Sequence, residues 1–277
     1  YEPKNLAIGP DGSIYVADSH NNRVQKFDKD GKFLLVFGSE GSGDGQFKDG
    51  PGGGLWGIAV APSGDVYVAD TWNHRIQRFD ADGKFKGKWG SQAMVNGTAD
   101  GPGQFFGPRA IAVDQAGSLL VSDTGNHRIQ RFDADGKFLA AYGGRGAGDG
   151  LFSEPVGIAV DRSGNIYVDD TWNKRIQKLD PNGKYVAQWA IVGWDSDSVV
   201  NKPYLALDPD GSMYLTDPEG HRAIKLSASG QVLAVWGKLG NDNASMNLPT
   251  GIALGPSGDV WVADSLNNRV LKFAPVR

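Results

Sequence analysis

The sequence contains no cysteine among its 277 residues. Disulfide bonds, thiolate zinc sites and cysteine nucleophiles are therefore excluded. Apolar runs of the roughly 20 residues needed to cross a bilayer are also missing. The 28 basic and 32 acidic residues give a net charge of −4 and are spread along the chain without a basic block. This disfavours a dominant nucleic-acid-binding surface, because phosphate binding depends on concentrated positive charge.

Glycine, proline and aromatic residues are plentiful in the same sequence. There are 40 glycines and 14 prolines, and aromatic residues make up 10% of the chain. This composition is typical of many short strands joined by tight turns. A hydrophobic content of 40% is enough for a packed core and argues against disorder. We therefore expect an all-β globular protein.

One five-residue motif recurs six times along the chain. It first appears as Ile14-Tyr-Val-Ala-Asp18 and last as Val260-Trp-Val-Ala-Asp264, and successive copies lie 47 to 53 residues apart. An arginine follows the closing aspartate of every copy after five residues. The pairs are Asp18 and Arg23, Asp70 and Arg75, Asp123 and Arg128, Asp170 and Arg175, Asp217 and Arg222, and Asp264 and Arg269. We predict that each pair forms a charged hydrogen bond across a hairpin turn, as a structural element of every repeat.

Each repeat contains four short apolar segments separated by turn residues. In the second repeat they are residues 57–60, 66–70, 75–79 and 84–89. Such segments form a meander of antiparallel hairpins, and radial packing of six meanders covers both faces of each sheet. The sequence thus predicts a single six-bladed β-propeller domain of four-stranded antiparallel blades. The repeats lie at about residues 1–47, 48–105, 106–152, 153–200, 201–247 and 248–277.

The sixth repeat is one strand short. It ends with the segment 269–273 followed by Ala-Pro-Val-Arg, and no outer strand follows. Tyr1-Glu-Pro3 resembles the end of the linker that precedes later repeats, so we expect residues upstream of Tyr1 to supply the missing strand. The alternative is a strand added at the open edge by a neighbouring chain, which would produce a homo-oligomer or a filament.

The combined repeat pattern resembles the NHL-repeat family. It reads Pro-x-Gly-Ile-Ala-Val-Asp, then Gly-x-Ile-Tyr-Val-Ala-Asp, then Asn-x-Arg-Ile-Gln-x-Phe-Asp and Asp-Gly-Lys-Phe, and it covers nearly the whole chain. The resemblance implies a six-bladed propeller, here of the bacterial extracytoplasmic type, and on that ground we expect an extracellular or extracytoplasmic location. It implies less about activity, because relatives include RNA-binding domains, a sensor domain of a bacterial kinase and a metal-dependent amidating lyase.

Residues that occupy one position in several repeats are predicted to be architectural. His74, His127 and His221 stand at the same turn position in different repeats. Side chains on separate blades diverge, so we predict no metal site and no cofactor. Asp195-Ser-Asp197 begins like a calcium loop, but the glycine and the distal glutamate of such a loop are missing. No helix is predicted after the glycine-rich linkers, so we predict that they connect blades and do not bind phosphate.

Positions that differ between repeats are the candidates for a specific function. The eight candidates are the turn residues His20, Trp72 and Trp172, the residues Lys4, Trp56 and Arg109 before the innermost strands, and the linker residues Phe105 and Phe106. All are predicted on one face of the propeller, where the residues of blades 1 to 3 form a cationic and aromatic sector suited to a ligand with an acidic group or to an aromatic-tolerant polymer. The alternative for the two turn tryptophans is that each packs on the adjoining linker.

We predict a non-catalytic binding, sensing or assembly module that engages a protein or glycan partner through this face, since no nucleophile or metal cluster is evident. A propeller enzyme of the lyase or lactonase type is the first alternative, with Asp169 replacing the Ala, Ser or Thr of the other repeats. RNA binding is disfavoured by the net charge of −4, because a weakly basic face neutralises few phosphates. Self-assembly through the open sixth repeat is the remaining alternative.

Overall fold

The computed structural model describes residues 1–91, 101–191, 194 and 202–276. Within these ranges the chain forms six antiparallel sheets, five with four strands and one with three. The prediction of an all-β, six-bladed propeller is confirmed. Two further strands, β5 (Ser39–Glu40) and β6 (Gln46–Phe47), form a short parallel pair in the first linker. No helix in the described part of the chain is long and apolar enough to cross a membrane.

Each blade runs in chain order from an inner strand, next to the inner strands of its neighbours, to an outer strand. Blades 1 to 3 consist of β1 (Asn5–Ile8), β2 (Ile14–Asp18), β3 (Arg23–Phe27) and β4 (Phe33–Phe37); β7 (Ile58–Val60), β8 (Val66–Asp70), β9 (Arg75–Phe79) and β10 (Phe85–Trp89); and β11 (Pro108–Val113), β12 (Leu119–Asp123), β13 (Arg128–Phe132) and β14 (Phe138–Gly143). Blades 4 to 6 consist of β15 (Pro155–Val160), β16 (Ile166–Asp170), β17 (Arg175–Leu179) and β18 (Tyr185–Ala190); β19 (Leu205–Leu207), β20 (Met213–Asp217), β21 (Arg222–Leu226) and β22 (Val232–Trp236); and β23 (Pro249–Leu254), β24 (Val260–Asp264) and β25 (Arg269–Phe273).

Neighbouring blades pack face to face, which explains the apolar second strands. All five residues of β2, β8, β12, β16 and β20 are buried, including the closing aspartate. Outer strands such as β14 alternate between exposed and half-buried residues. The core therefore lies between the blades. Between blades 1 and 2, for example, the ring of Phe79 lies 4.8 Å from Phe37 and 6.0 Å from Phe47.

A single turn of 3-10 helix joins the second and third strands in five blades, and the residue after it adopts a left-handed backbone conformation. This residue has a φ of 51° at Asn22, 53° at His74, 56° at His127, 53° at Lys174 and 56° at Asn268. Asparagine and histidine are enriched among the non-glycine residues that adopt such angles. The backbone of the turn thus accounts for the recurrence of these residue types without a shared ligand.

The ring closes between blade 6 and blade 1 through the inner strands. The hydroxyl of Ser265 donates to the carbonyl of Pro3 at 2.6 Å, and β1 packs against β23. The last sheet contains only β23, β24 and β25 within the described residues. The prediction that the sixth blade lacks its outer strand is therefore confirmed, and no fourth strand covers the outer side of β25 in the described part of the chain.

Candidate binding face

The aspartate and arginine pairs form in all six blades. The arginine Nε donates to the aspartate Oδ2 at 2.6 to 2.8 Å in every case. Blade 2 shows the wider network, in which the Nη atoms of Arg75 donate to the carbonyls of Ser42 and Gly43 at 2.7 Å. The amide of Lys48 donates to Asp70 Oδ1 at 3.2 Å. Each of these contacts lies in the linker from blade 1, so the pair fixes that linker against blade 2.

The three turn histidines also hold linkers. The Nδ1 atoms of His74 and His127 each accept a hydrogen bond at 3.0 Å from a backbone amide of the following linker, and His221 does the same at 3.3 Å. Burial lowers the pKa of His74 and of His127, which favours the neutral form that accepts these bonds. Among the described residues no group of three or more His, Cys, Asp or Glu side chains is arranged to hold a metal ion. Asp195-Ser-Asp197 lies outside the described residues.

Arg109 and Trp56, from neighbouring blades, are in direct contact. Trp56 lies just before β7 as predicted, whereas Arg109 is the second residue of β11 and not a residue before it. The guanidinium carbon lies 4.2 Å from the centre of the indole ring, a cation–π distance. Trp56 is 1% exposed, and its Nε1 donates to the carbonyl of Gly53 at 3.0 Å. Lys4 is equally buried, with Nζ 3.4 Å from a carboxylate oxygen of Glu2. Burial lowers the pKa of Lys4 and of Arg109, so both cations lie in a desolvated environment.

Tyr204 belongs to this region and was missed by the sequence analysis. It precedes β19 in blade 5, at a position where the other blades carry Asn, Gly or Ala. Its hydroxyl donates to the carbonyl of Arg109 at 3.2 Å and lies 3.5 Å from the carbonyl of Trp56. The side chain therefore extends from blade 5 across the centre of the ring to the backbone of blades 2 and 3. Burial raises the pKa of Tyr204, which keeps the phenol protonated and able to donate.

One polar atom of this cluster has no partner in the described part of the chain. The Nη1 atom of Arg109 is buried and makes no hydrogen bond there. An unpaired buried donor costs about 1–3 kcal/mol and is rare in native proteins. A guanidinium stays charged throughout the physiological pH range, so a hydrogen bond from this atom is charge-assisted and is strongest when the acceptor is an anion.

The two turn tryptophans pack on the linkers, as the alternative for them stated. Trp72 donates its Nε1 hydrogen to the carbonyl of Gly53 at 2.9 Å. Trp172 donates to a carboxylate oxygen of Glu154 at 2.8 Å, and the Nζ of Lys202 lies 3.5 Å from the centre of its ring. Both indoles are only half-buried, so part of each side chain is exposed at the surface.

The remaining candidates differ in exposure. Phe105 is fully buried, with its ring 5.5 Å from Phe132, so it belongs to the core between blades 2 and 3. Phe106 is 39% exposed and stacks on His74 at 5.5 Å with nearly parallel rings. His20 is half-buried, and its Nε2 lies 3.2 Å from a carboxylate oxygen of Glu2. Phe106 and His20 are therefore surface candidates, whereas Phe105 acts through packing.

Asp169 is an isolated acid between blades 4 and 5. It is 0% exposed, and neither carboxylate oxygen has a hydrogen-bond partner among the described residues. A Cβ atom on Gly157 would lie 2.1 Å from Oδ2 and 2.9 Å from the Cα of Tyr204, so the carboxyl occupies space that a glycine leaves. Burial raises the pKa of Asp169 well above its usual range. The carboxyl therefore keeps its proton to a higher pH than an exposed aspartate does.

Comparison with known proteins identifies the repeats. The family described as NHL repeat matches residues 1–27, 53–79, 105–132, 152–179 and 246–273. These segments contain the first three strands of blades 1, 2, 3, 4 and 6. Blade 5 is outside the matched segments, and it departs most from the repeat, with Tyr204 in place of a small residue and Pro218-Glu219-Gly220-His221 as its turn.

Curated relatives match about half of this chain. Protein brain tumor from Drosophila melanogaster is 32% identical over 146 residues, which are 51% of this chain and 12% of that protein. Peptidylglycine alpha-amidating monooxygenase from Rattus norvegicus is 37% identical over 145 residues, which are 50% of this chain and 14% of that protein. The similarity therefore spans only a small part of either relative.

Solved structures with the same architecture include two lyases. An inactive variant of virginiamycin B lyase from Staphylococcus aureus, with quinupristin, superposes with a TM-score of 0.63 at 16% identity, covering 99% of this chain and 84% of that one. A streptogramin B lyase superposes with a TM-score of 0.61 at 18% identity, covering 94% and 75%. At such identities the likeness is one of fold. The chain is therefore an NHL-repeat protein, and its repeats fold into a six-bladed β-propeller.

Proposed function

We propose that this protein is a non-catalytic binding module outside the cytoplasm, which engages an acidic group of a protein or glycan partner through the face that carries Arg109. The observation that carries the proposal is the buried Nη1 atom of Arg109, which makes no hydrogen bond to any described residue. The indole of Trp56 holds the guanidinium from one side, and Tyr204 fixes its backbone. A positioned guanidinium of this kind suits a carboxylate or a sulfate, which it can bind through two parallel hydrogen bonds.

The surroundings of Arg109 favour a macromolecular partner. Phe106 presents a partly exposed ring, and Trp72 and Trp172 present half-buried indoles in the linkers and turns beside it. Aromatic residues and arginine are enriched where proteins contact partners, and indoles stack well on sugar rings. An acidic side chain bound at Arg109 would thus be flanked by apolar contacts that exclude water.

We expect Arg109→Gln to weaken binding of acidic probes at least tenfold, because a charge-assisted bond is lost while the shape of the side chain is largely kept. The probes are peptides rich in Asp and Glu, a uronic-acid oligosaccharide and single-stranded RNA, with neutral peptides as the reference, measured by isothermal titration calorimetry. Arg145→Gln is the matched control, because it removes the same charge from an exposed linker residue. Equal affinities for the two variants, or no affinity of the wild type for any acidic probe, would contradict the proposal.

The measurement with single-stranded RNA distinguishes binding of one acidic group at Arg109 from general nucleic-acid binding. Binding that depends on phosphate neutralisation weakens steeply with salt, in proportion to the number of phosphates contacted. Binding of one acidic group at a partly buried arginine depends only weakly on salt. Tight RNA binding with a steep salt dependence would therefore replace the proposed partner class.

A catalytic alternative is favoured by one observation. Tyr204 contacts Arg109, and the isolated carboxyl of Asp169 lies beside the backbone of the same tyrosine. Proton-transfer groups in enzymes are often buried groups with raised pKa values. Metal analysis of the purified protein is the first discriminating measurement. A stoichiometric metal ion that is retained in wild type and lost in Asp169→Asn would favour the enzyme over the binding module.

A further inference from the structure

A cavity of about 560 Å³ lies at the end of the central channel that is opposite to the Arg109 region. All six blades contribute to it, through the last residues of their inner strands and the turns that follow. Tyr204 crosses the ring near the beginning of the inner strands, where its hydroxyl meets the carbonyls of Trp56 and Arg109. The tyrosine therefore separates this cavity from the face that carries Arg109.

The wall of the cavity is aliphatic. Five of the six inner strands end in a half-buried aliphatic residue that lines it, namely Ile8, Val60, Val113, Leu207 and Leu254. Small-molecule sites are typically clefts of about 300–1,000 Å³ with mostly apolar walls and a few polar groups. The size and the lining of this cavity therefore suit the apolar part of a small molecule.

Prolines stiffen the rim of the cavity. In four blades the turn after the inner strand places a proline against the cavity, at Pro10, Pro62, Pro209 and Pro256. Proline fixes its own φ and has no backbone donor, so this part of the rim is rigid and apolar. A site formed in advance loses little conformational freedom when a ligand binds, which favours affinity.

Blade 4 places a cation at the turn position where those four blades have proline. This residue is Arg162, which is exposed and lines the cavity. It makes no hydrogen bond or ion pair with any described residue. A guanidinium presents parallel N–H donors that match the two oxygens of a carboxylate. Arg162 can therefore bind an acidic group of a molecule in the cavity.

Blade 5 contributes a carboxylate that its own turn does not use. Asp114 and Asp161 stand at the same turn position in blades 3 and 4, and Oδ1 of each accepts two backbone amides of the turn at 2.8 to 2.9 Å. In blade 5, Asp210 accepts the amide of Ser212 at 2.7 Å instead. Asp208 is half-buried, lines the cavity and makes no side-chain hydrogen bond or ion pair with any described residue.

Arg162 and Asp208 are neighbours on the rim. They are the two ionisable residues in the lining of the cavity, and both also line a second cavity, of about 340 Å³, between blades 4 and 5. They do not form an ion pair with each other. A cation and an anion that are adjacent but unpaired complement a ligand that has both charges at one end.

We propose that this cavity binds the zwitterion of an α-amino acid with a large apolar side chain. The guanidinium of Arg162 donates to its carboxylate, and its ammonium group donates to the carboxylate of Asp208. The apolar side chain lies among the aliphatic residues of the wall, where its burial is favourable. A fatty acid or a simple amine would complement only one of the two charged residues.

Isothermal titration calorimetry of the 277-residue protein with L-phenylalanine and L-leucine tests this proposal. We expect saturable binding of at least one of them. Glycine is expected to bind at least tenfold more weakly, because it has no side chain to bury. The amide and the N-acetyl derivative of the bound amino acid are also expected to bind at least tenfold more weakly, because the first lacks the negative charge and the second lacks the positive charge.

Two variants assign the charges to their partners. Arg162→Gln is expected to weaken binding of the amino acid at least tenfold and to remove its preference over the amide, while its preference over the N-acetyl derivative remains. Asp208→Asn is expected to do the reverse. Arg145→Gln, which changes an exposed arginine of a linker on the other face, is the matched control and is expected to leave binding unchanged. Similar melting temperatures of the three variants without ligand would show that the fold is retained.

Three outcomes would overturn the proposal. The first is the absence of saturable binding of both amino acids. The second is an amide and an N-acetyl derivative that bind wild type as tightly as the amino acid, since the ligand would then be recognised without its charges. The third is Arg145→Gln weakening the binding as much as Arg162→Gln does. None of these results bears on the proposed function at Arg109, which lies at the other end of the channel.

Discussion

Asp169→Ala is expected to raise the melting temperature of the protein at pH 8 by roughly 2–8 °C. The substitution removes a fully buried carboxyl that has no hydrogen-bond partner among the described residues, and such a group costs about 1–3 kcal/mol. Blades 1, 2 and 6 already carry alanine at this position, as Ala17, Ala69 and Ala263. The interface between blades 4 and 5 is therefore expected to accept alanine.

The gain in melting temperature from Asp169→Ala is expected to depend on pH. Its direction follows from the raised pKa of Asp169. Below about pH 3.9, the usual pKa of aspartate, both the folded and the unfolded states hold the proton and titration contributes nothing. Above that pH the unfolded chain releases the proton while folded Asp169 retains it, so the wild type loses stability as the pH rises towards the folded pKa. Asp169→Ala removes this slope, and its advantage is therefore expected to be largest at pH 8 and smallest at pH 4.

Thermal denaturation of wild type, Asp169→Ala and Asp169→Asn between pH 4 and pH 8 measures both effects. Asn removes the titration but keeps a buried amide, so it is expected to abolish the slope with a smaller gain at pH 8 than alanine gives. A melting temperature of Asp169→Ala that falls below that of wild type at pH 8 would show that the carboxyl stabilises the fold. An offset that is the same at every pH would contradict the raised pKa.

Asp70→Ala is expected to destabilise the protein by about 3–5 kcal/mol, because it leaves a desolvated guanidinium without its carboxylate. The side chain of Arg75 is 9% exposed, and that of Asp70 is 0% exposed. The carboxylate also accepts hydrogen bonds from Asn73, Gln77 and the amide of Lys48. All three donors lose this acceptor in the variant, although Asn73 keeps its bond to the carbonyl of Gly41 and Gln77 keeps its bond to the carbonyl of Gln46. At this size of protein the expected fall in melting temperature is roughly 6–20 °C.

Two control variants test whether the loss of stability depends on the solvent exposure of the ion pair. Asp30→Ala removes the partner of Lys29 from a pair in which both side chains are 71% exposed, and exposed pairs contribute about 0–1 kcal/mol. Asp18→Ala is expected to fall between the two, because its partner Arg23 is 40% exposed. Urea denaturation of the three variants measures the order. Equal losses for Asp70→Ala and Asp30→Ala would refute the view that the pair fixes the linker.

The six repeats show in the sequence which residues every blade shares and which residues differ between blades. They do not show which of the differing residues are exposed to solvent. Phe105 stands in a long linker and was predicted on the binding face, yet it is the buried residue that anchors the linker, as Phe47 and Phe152 do. Aligning these phenylalanines across the linkers could have identified it. Trp56 and Lys4 lie just before their inner strands as predicted, but the spacing of the repeats did not predict that both side chains are buried.

The contacts of Tyr204 are an example of a feature that only the assembled ring of blades reveals. Its position in the repeat is unusual in the sequence, since the other blades carry Asn, Gly or Ala there. Its partners are carbonyls of blades 2 and 3, which lie 148 and 95 residues earlier in the chain. No local pattern connects positions so far apart. Their contact arises only because six blades surround one axis, where a long side chain can extend to the opposite wall.

The amino-acid sequence by itself determined the repeat, the number of blades, the order of strands, the aspartate and arginine pairs and the absence of a fourth strand after residues 269–273. Those features are local, since they depend on period-two strands, turn residues and a spacing of about 50 residues. The tertiary structure decided which varying residues face solvent and which buried atoms lack partners among the described residues. Those properties depend on distances between blades, which repeat spacing along a chain does not specify.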